Sequence, residues 1–276
     1  HQFEGFTFVY EKGGVNWIKT IAQTKFFTFL KDIKTLNLNE YDLIVTDFEP
    51  VSAWAAFLQK KNCINVSHQS SFYTTKTPRP KNWPLFIVAE LFLRLFSISS
   101  DYIGVHFKRY NDKIFPPILK DEIINAKTTT NDHITIYLSA FSLAEQIKFF
   151  KQFPKYNFQI YHSHCKQKEQ IDNLMCSPLC ETFKYSLISS SGYISNAGFE
   201  SNAEALYLKK PLLCIPIRLQ YEQYCNGAAL KKLGVTVLSR LNKKKVKKWL
   251  ENRHQLPTLE VSNTDALAKA IVEKIN

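Results

Sequence analysis

Short apolar runs alternate along this chain with longer stretches in which apolar residues recur every three or four positions. The runs predict strands at 6–10, 41–46, 63–67, 101–107, 133–138, 156–161, 193–195, 211–215 and 235–238. The periodic stretches predict helices near 17–36, 50–60, 84–97, 142–152, 199–209, 221–233, 243–252 and 263–275. Runs such as Leu43 to Thr46 and Leu212 to Ile215 lack polar alternate positions, as parallel strands covered on both faces do. The reading is α/β. Between Phe115 and Asp132 the alternation lapses into a Pro116-Pro117 step and a polar stretch from Lys127 to Asp132, which predicts two domains, 1–120 and 132–276.

Composition bounds this picture. The 276 residues, 45% hydrophobic, suffice for two α/β domains with real cores and not for three. The net charge of +12 gathers at Lys31 and Lys34, at Lys60 and Lys61, at Lys76, Arg79 and Lys81, and in the run from Lys243 to Lys248. It suggests attraction to an anionic membrane face or to polyanions, with an ordinary solvated surface as the alternative, and no nucleic-acid motif accompanies it. The six cysteines lack the spacing of a disulfide scaffold. Cys63 and Cys214 lie in apolar strands as small core residues, and His162, His164, Cys165, Cys176 and Cys180 match no common zinc spacing, so no metal is expected. With no signal peptide and no apolar run of the ~20 residues that cross a bilayer, the expected location is the cytoplasm, with membrane association open. The segment Trp83 to Ser97 is apolar around most of its circumference, with Glu90 and Arg94 placed to pair at i, i+4, and reads as a core or interface helix ahead of a lipid-contacting one.

The chemistry concentrates between residues 193 and 234. A short strand there runs into Asn196, Ala197 and Gly198, small residues that let backbone approach a ligand closely, and then into a helix opening at Phe199 whose first amides point back at the same place. A diphosphate suits that position. Ser201 and Glu204 share a helix face one turn further in, where a ribose diol would follow. The next strand ends at Pro216, and the segment after it delivers Gln220, Glu222, Gln223 and Asn226, side chains suited to sugar hydroxyls.

This stretch resembles the donor-binding signature of two-Rossmann (GT-B) glycosyltransferases, the nucleotide-sugar-dependent group that includes UDP-glucuronosyltransferases and the lipid-linked peptidoglycan glycosyltransferase. Asn196, Ala197 and Gly198 match the family's His-Gly-Gly type of turn, Ser201 and Glu204-Ala205 its helix, Lys210-Pro211 its Gly-x-Pro strand start, and Glu222-Gln223 with Asn226-Gly227 its closing loop. Asn stands for His, Lys for Gly and Gly227 for Ala. Further segments, Phe6 to Val15, Tyr41 to Ala56, Ile64 to Phe72 and Gly104 to Leu119, are similar to a bacterial branch of the group. The likeness covers some two thirds of the chain and is strongest after residue 190. The family's glycine-rich loop after its first strand has no counterpart, so the resemblance implies an amino-terminal domain that lacks its opening βαβ unit, about 30 residues or more. The chain as given is therefore expected to bind donor nucleotide and to turn over poorly.

The resemblance implies inverting, metal-independent transfer of a sugar from a nucleoside diphosphate sugar, UDP first among them, to a glycan or lipid hydroxyl, with the nucleotide sugar as co-substrate and no cofactor. Glu204 and Ser201 would hold the ribose, amides from Gly198 to Ser201 the diphosphate, and Glu222 and Gln223 the sugar. Strand carboxyl ends face the ligand in open α/β sheets, which brings forward Ser139 to Ser142, Asp47, Glu49, His68 and Gln69. Asp47 or His68 is the general base in this reading; the even alternative for Asp47 is a cap on the helix that starts at Pro50, and a lone His at a strand end is more often a structural residue. A nucleotide-sugar 2-epimerase and a non-catalytic sugar-nucleotide-binding protein are the alternatives.

Overall fold

A computed structural model of the protein describes residues 9–11, 13–23, 25–81 and 86–274. The expected strand 6–10 lies largely outside the described residues, as does the start of the helix expected from residue 84. The chain forms two compact units, one from Asn16 to Ile118 with the segment that begins at Glu260, the other from Leu119 to Leu259 with Tyr10–Val15. The carboxyl-terminal segment thus groups with the first unit and not, as the expected domain 132–276 has it, with the second.

The described chain opens with a hairpin of β1 (Tyr10–Glu11) and β2 (Gly14–Val15). The single helix expected over 17–36 is instead two, α1 (Trp17–Gln23) and α2 (Phe26–Thr35), with Lys25 in non-helical backbone before the second. Each then buries its own position, Thr20 on α1 and Ile33 on α2. There follow β3 (Leu43–Thr46), α3 (Pro50–Leu58), β4 (Asn62–Ser67), a 3-10 turn (Gln69–Tyr73), α4 (Phe86–Phe96), β5 (Asp101–Val105) and β6 (Ile114–Phe115). The four strands β3-β4-β5-β6 lie side by side in parallel, in chain order. One apolar cluster joins Ile44 and Cys63 to Ile33 of α2 and Val51, Ala55 and Ala56 of α3.

The second unit contains α5 (Asp121–Ile124), β7 (Ile134–Tyr137), α6 (Leu143–Phe150), β8 (Phe158–Tyr161), β9 (Glu169–Ile171), β10 (Leu174–Ser177), α7 (Thr182–Ser189), β11 (Gly192–Ser195), α8 (Glu200–Tyr207), β12 (Leu212–Cys214), α9 (Tyr221–Lys232), β13 (Thr236–Val237) and α10 (Lys243–Glu251). Its sheet runs β13-β12-β11-β7-β8-β10-β9, parallel except for β9 against β10. Without the antiparallel edge strand β9, this is the 3-2-1-4-5-6 order of a doubly wound sheet, whose direction of winding reverses between β7 and β11. Ile134, Ile136, Ile160, Ile194 and Leu213 form the fully buried middle of its core. In α10 the lysine run is the solvated face of an amphipathic helix that buries Val246, Trp249 and Leu250.

Beyond these, α11 (Thr264–Val272) returns to the first unit, where Leu267, Ala270 and Ile271 pack on Ile64, Ile103 and Phe115. Lys274 beyond it and Lys113 both bond Asp101 at the start of β5. Burial alone would raise the pKa of that carboxyl, but the two ammonium groups outweigh it and hold the value near 2.

The helix expected as a core or interface element, α4, buries Leu93 but leaves Ile87, Val88, Leu91, Phe92 and Leu95 exposed, so it is not a core helix of this chain. The expected Glu90–Arg94 pair is also replaced. Glu90 bonds Arg79 at 2.5 Å, while Arg94 donates to the Tyr73 carbonyl and stacks over its ring, because the loop before α4 brings better partners than the helix itself offers.

Candidate functional site

At the reversal point of the second unit, the loops after β7, β11 and β12 meet, and three buried asparagines tie them together. Asn196 ends β11; its Oδ1 accepts from Ser139 Oγ and the Ala140 amide, both at 3.3 Å, and its Nδ2 donates to the Ile215 carbonyl at 2.8 Å. Asn202 in α8 donates to the carbonyls of Asn196 and Gly198 at 2.8 and 2.6 Å, and its Oδ1 accepts from Ser195 at 2.6 Å. Asn226 in α9 donates to the Ala197 carbonyl at 3.0 Å. In this geometry Asn196 and Asn226 shape the turn. Ala197 is fully buried beneath it.

Gly198 faces the other way. A Cβ there would meet only Gln223 Nε2, at 3.8 Å, so no packing requirement excludes a side chain and the position leaves open space above the turn. Phe199 then takes helical backbone at the N-cap, and no side chain caps α8. The contrast within the same molecule is informative: α6 opens with a Ser142–Glu145 capping box, and α3 is capped by Glu49. An uncapped helix end keeps its amide dipoles available to an anion.

One turn into α8, Ser201 Oγ accepts from the buried hydroxyl of Tyr193 at 3.0 Å. Glu204 is 8% exposed, and no hydrogen-bond donor among the described residues reaches its carboxylate. Burial, and secondarily the charge of Glu200, push its pKa up to about 7, with Lys120 acting against them. A buried carboxylate without a partner is expensive unless it is protonated or meets a ligand donor.

From the β12 side, Gln220 occupies the N-cap of α9, which also lacks a side-chain cap, and its Oε1 is buried with no donor among the described residues. Gln223 accepts from the Ile217 amide at 3.4 Å. Glu222 is half-buried in the first turn of α9. Its charge helps burial raise the pKa of Tyr10, which puts Tyr10 within electrostatic reach. That neighbour comes from the β1–β2 hairpin: the Gly13 amide donates to the Ala140 carbonyl at 2.7 Å, and the Arg218 amide to the Gly13 carbonyl at 2.8 Å. Gly13 takes a positive φ of 73°, and a Cβ there would strike the Phe141 ring at 2.8 Å. Sequence reasoning missed Tyr10, Tyr193 and Asn202; the adjacent Gly13-Gly14 turn was the available signal for the first.

The family departures have local causes. Gly227 is needed because a Cβ would lie 2.9 Å from Pro216 Cγ. Before the strand start, Lys209 holds a left-handed φ of 55°, a conformation that glycine adopts freely and a lysine at a cost of about 1 kcal/mol.

On the first unit, Asp47 and His68 stand at the carboxyl ends of neighbouring strands β3 and β4. The cap of α3 is Glu49, whose two oxygens accept from Val51 and Ser52 at 2.6 and 2.7 Å, so Asp47 is not the cap. Although Asp47 is open to solvent, the atoms crowding its carboxyl raise its pKa, against which His68 acts. His68 Nδ1 lies 2.8 Å from the Val105 carbonyl. A carbonyl can only accept, so Nδ1 carries the proton and Nε2 is the basic nitrogen of the neutral ring.

Against known proteins, the family described as Glycosyl transferase family 1 matches residues 1–257, and the protein belongs to that family. The glycotransferase of kitacinnamycin shares its fold at 12% identity, covering 84% of this chain and 74% of that one, with a TM-score of 0.54. S. aureus MnaA, in a UDP co-structure, does so at 11% identity, 84% and 72% coverage and a TM-score of 0.51. Os79 from O. sativa, in complex with U2F and trichothecene, does so at 10% identity, 87% and 74% coverage and 0.51. No curated protein matches the chain. The fold is that of the two-Rossmann (GT-B) glycosyltransferases, and sugar transfer is the activity of the class.

Proposed function

We propose that this protein transfers a sugar from a nucleoside diphosphate sugar to an acceptor hydroxyl, with inversion and without a metal. One observation carries the reading: the carboxyl of Glu204, a buried residue to which no described residue donates a hydrogen bond, lies one turn inside an uncapped helix whose entrance is left open by Gly198. Ribose hydroxyls donating to Glu204 would place the diphosphate at the helix amides, whose positive end stabilises the departing phosphate charge. Glu222, Gln223 and the orphaned Gln220 Oε1 sit beyond, where the sugar hydroxyls follow. His68 Nε2, with Asp47 beside it electrostatically, is the base that takes the acceptor proton. UDP is the first nucleotide to try, since the S. aureus structure sharing this fold is a UDP co-structure.

The test separates nucleotide from sugar contacts. Glu222→Ala is expected to leave free UDP affinity within about twofold of the parent while lowering turnover tenfold or more, because it removes contacts made only to the sugar. Calorimetry with UDP and product analysis over a panel of UDP-sugars measure both. Loss of UDP binding in Glu222→Ala would mean that the roles of Glu204 and Glu222 are reversed, and an epimerised sugar nucleotide as the product would replace transfer by epimerisation.

The acceptor is proposed to be presented at an anionic membrane. Ile18 and Ile21 of α1, Phe26 and Phe27 of α2, and Ile87 and Leu91 of α4 are all exposed, with Trp17 touching Phe92 across α1 and α4. Lysines 19, 25, 31 and 34 lie among them in sequence. Among the described residues no helix is long and apolar enough to cross a membrane, so the fit is to a surface. Sedimentation with vesicles is expected to show binding that grows with phosphatidylglycerol content and falls about tenfold in Phe27→Asp. Equal binding to neutral and anionic vesicles, or none, would refute this.

A further inference from the structure

At the opposite end of the second unit's sheet from the donor turn lies a cavity of about 340 Å³. It opens where the chain enters β7, β11 and β12: Thr128 and Thr130 precede the first, Ser190 and Ser191 the second, Lys209 and Lys210 the third. Because these strands are parallel, their beginnings share one edge and their ends the other. The rise along β11 from Ser191 to Asn196 separates the cavity from the donor turn by about 16 Å.

The cavity's charge is positive. Lys210 is buried, and its Nζ donates to the carbonyls of Thr129 and Ser190 at 2.7 and 2.9 Å, which leaves one ammonium hydrogen unspent. Arg253 also lines the cavity, its guanidinium resting over the rings of Tyr156 and Trp249. Its Nη1 is buried and has no hydrogen-bond partner among the described residues. Gly192 makes this position possible, since a Cβ there would stand 3.1 Å from Arg253 Cδ and 3.0 Å from the Trp249 ring. Lys209 adds a third, exposed cation. Burial lowers the pKa of Arg253, against which the charges of Tyr156 and Asp132 act, and brings that of Lys210 down to about 8. The acid on the rim, Glu251, is engaged by Lys247 at 3.7 Å.

We propose that this cavity is an anion site, separate from the donor turn, that binds the phosphate group of a small phosphorylated ligand between Arg253 and Lys210, with the threonine and serine hydroxyls around it. A guanidinium fork beside a lysine ammonium is the arrangement that phosphate oxygens favour, and the neutral hydroxyls supply further donors without adding charge.

Inorganic phosphate is the probe, titrated into the full chain by calorimetry at low chloride, with folding of each variant checked by circular dichroism. The parent is expected to bind it in the millimolar range. Arg253→Gln is expected to weaken binding about tenfold and Lys209→Gln about threefold, consistent with loss of charge-assisted contacts. Gly198→Val, which fills the donor turn instead, is expected to leave phosphate binding unchanged. Lys209 is exposed, so its variant decides the matter if Arg253→Gln does not fold. The proposal is overturned if the parent binds no phosphate at 20 mM, at roughly ten times the expected constant, or if Gly198→Val abolishes binding. It is equally overturned if Arg253→Gln, when folded, and Lys209→Gln bind as the parent does. Failure of UDP to bind would sink the donor reading and leave this result untouched.

Discussion

Asn202→Leu is expected to lower the free energy of unfolding by about 3–4 kcal/mol and to abolish donor binding. The side chain is fully buried, and its amide satisfies the carbonyls of Asn196 and Gly198 while its oxygen takes the Ser195 hydroxyl. Leucine fits the volume and removes every one of those partners at once. Each buried polar group left unpaired costs roughly 1–3 kcal/mol, and the carbonyls cannot reach water without opening the turn. Asn202→Asp is expected to be about as damaging, since it turns a donor into an acceptor facing two carbonyl oxygens. Urea denaturation measures the first effect and UDP calorimetry the second. A Leu variant within 1 kcal/mol of the parent, the scale of a single hydrogen bond, would show that Asn202 does not hold the turn.

Affinity for a nucleotide sugar is expected to rise with pH through about 7, the pKa to which burial raises Glu204. Two ribose hydroxyls donate most strongly to a carboxylate, which accepts on both oxygens, whereas the acid keeps one oxygen as a donor, so the ionised form is the competent binder. One pH unit below the pKa about a tenth of the protein is competent, a loss of about tenfold in affinity. A nucleotide sugar is the right probe because both its phosphates are esterified and lack the near-neutral second ionisation of a terminal phosphate. Stability runs the other way. The unfolded chain releases the Glu204 proton near its ordinary value while the folded chain retains it to about 7, so the folded state loses stability as pH rises across that window and is unaffected well below it. Glu204→Gln is therefore expected to flatten the pH profile of binding, to bind more weakly at pH 8, and to be more stable than the parent there but not at pH 4. A parent whose affinity is flat from pH 5.5 to 8.5, spanning roughly a unit and a half on either side of the expected pKa, would remove Glu204 from the ribose.

The sequence by itself determined the α/β class, because uninterrupted apolar runs such as Leu212 to Cys214 are satisfied by burial on both faces; the run Leu43 to Thr46, expected to be covered in the same way, lies at the edge of its sheet and leaves Val45 48% exposed. It also determined where the donor turn lies, since a small-residue turn followed by a helix is local along the chain and needs no distant partner to be recognised. The third strand of the doubly wound sheet, β10, was not legible: its four residues Leu174–Ser177 follow an antiparallel edge strand across a turn with Asp172 at φ 52°, and only pairing with β8 makes them central. Within the turn itself, residue type alone could not separate side chains that face a ligand from those that hold the backbone. Asn196 and Asn226 have the chemistry of sugar contacts, yet three strand ends converging at the sheet's reversal point leave carbonyls and amides that only buried amide side chains can satisfy, and these two are spent there. Glu204 differs because the fold buries it without a hydrogen-bond donor among the described residues, with only the charge of Lys120 acting to lower its pKa, and that difference belongs to the tertiary structure.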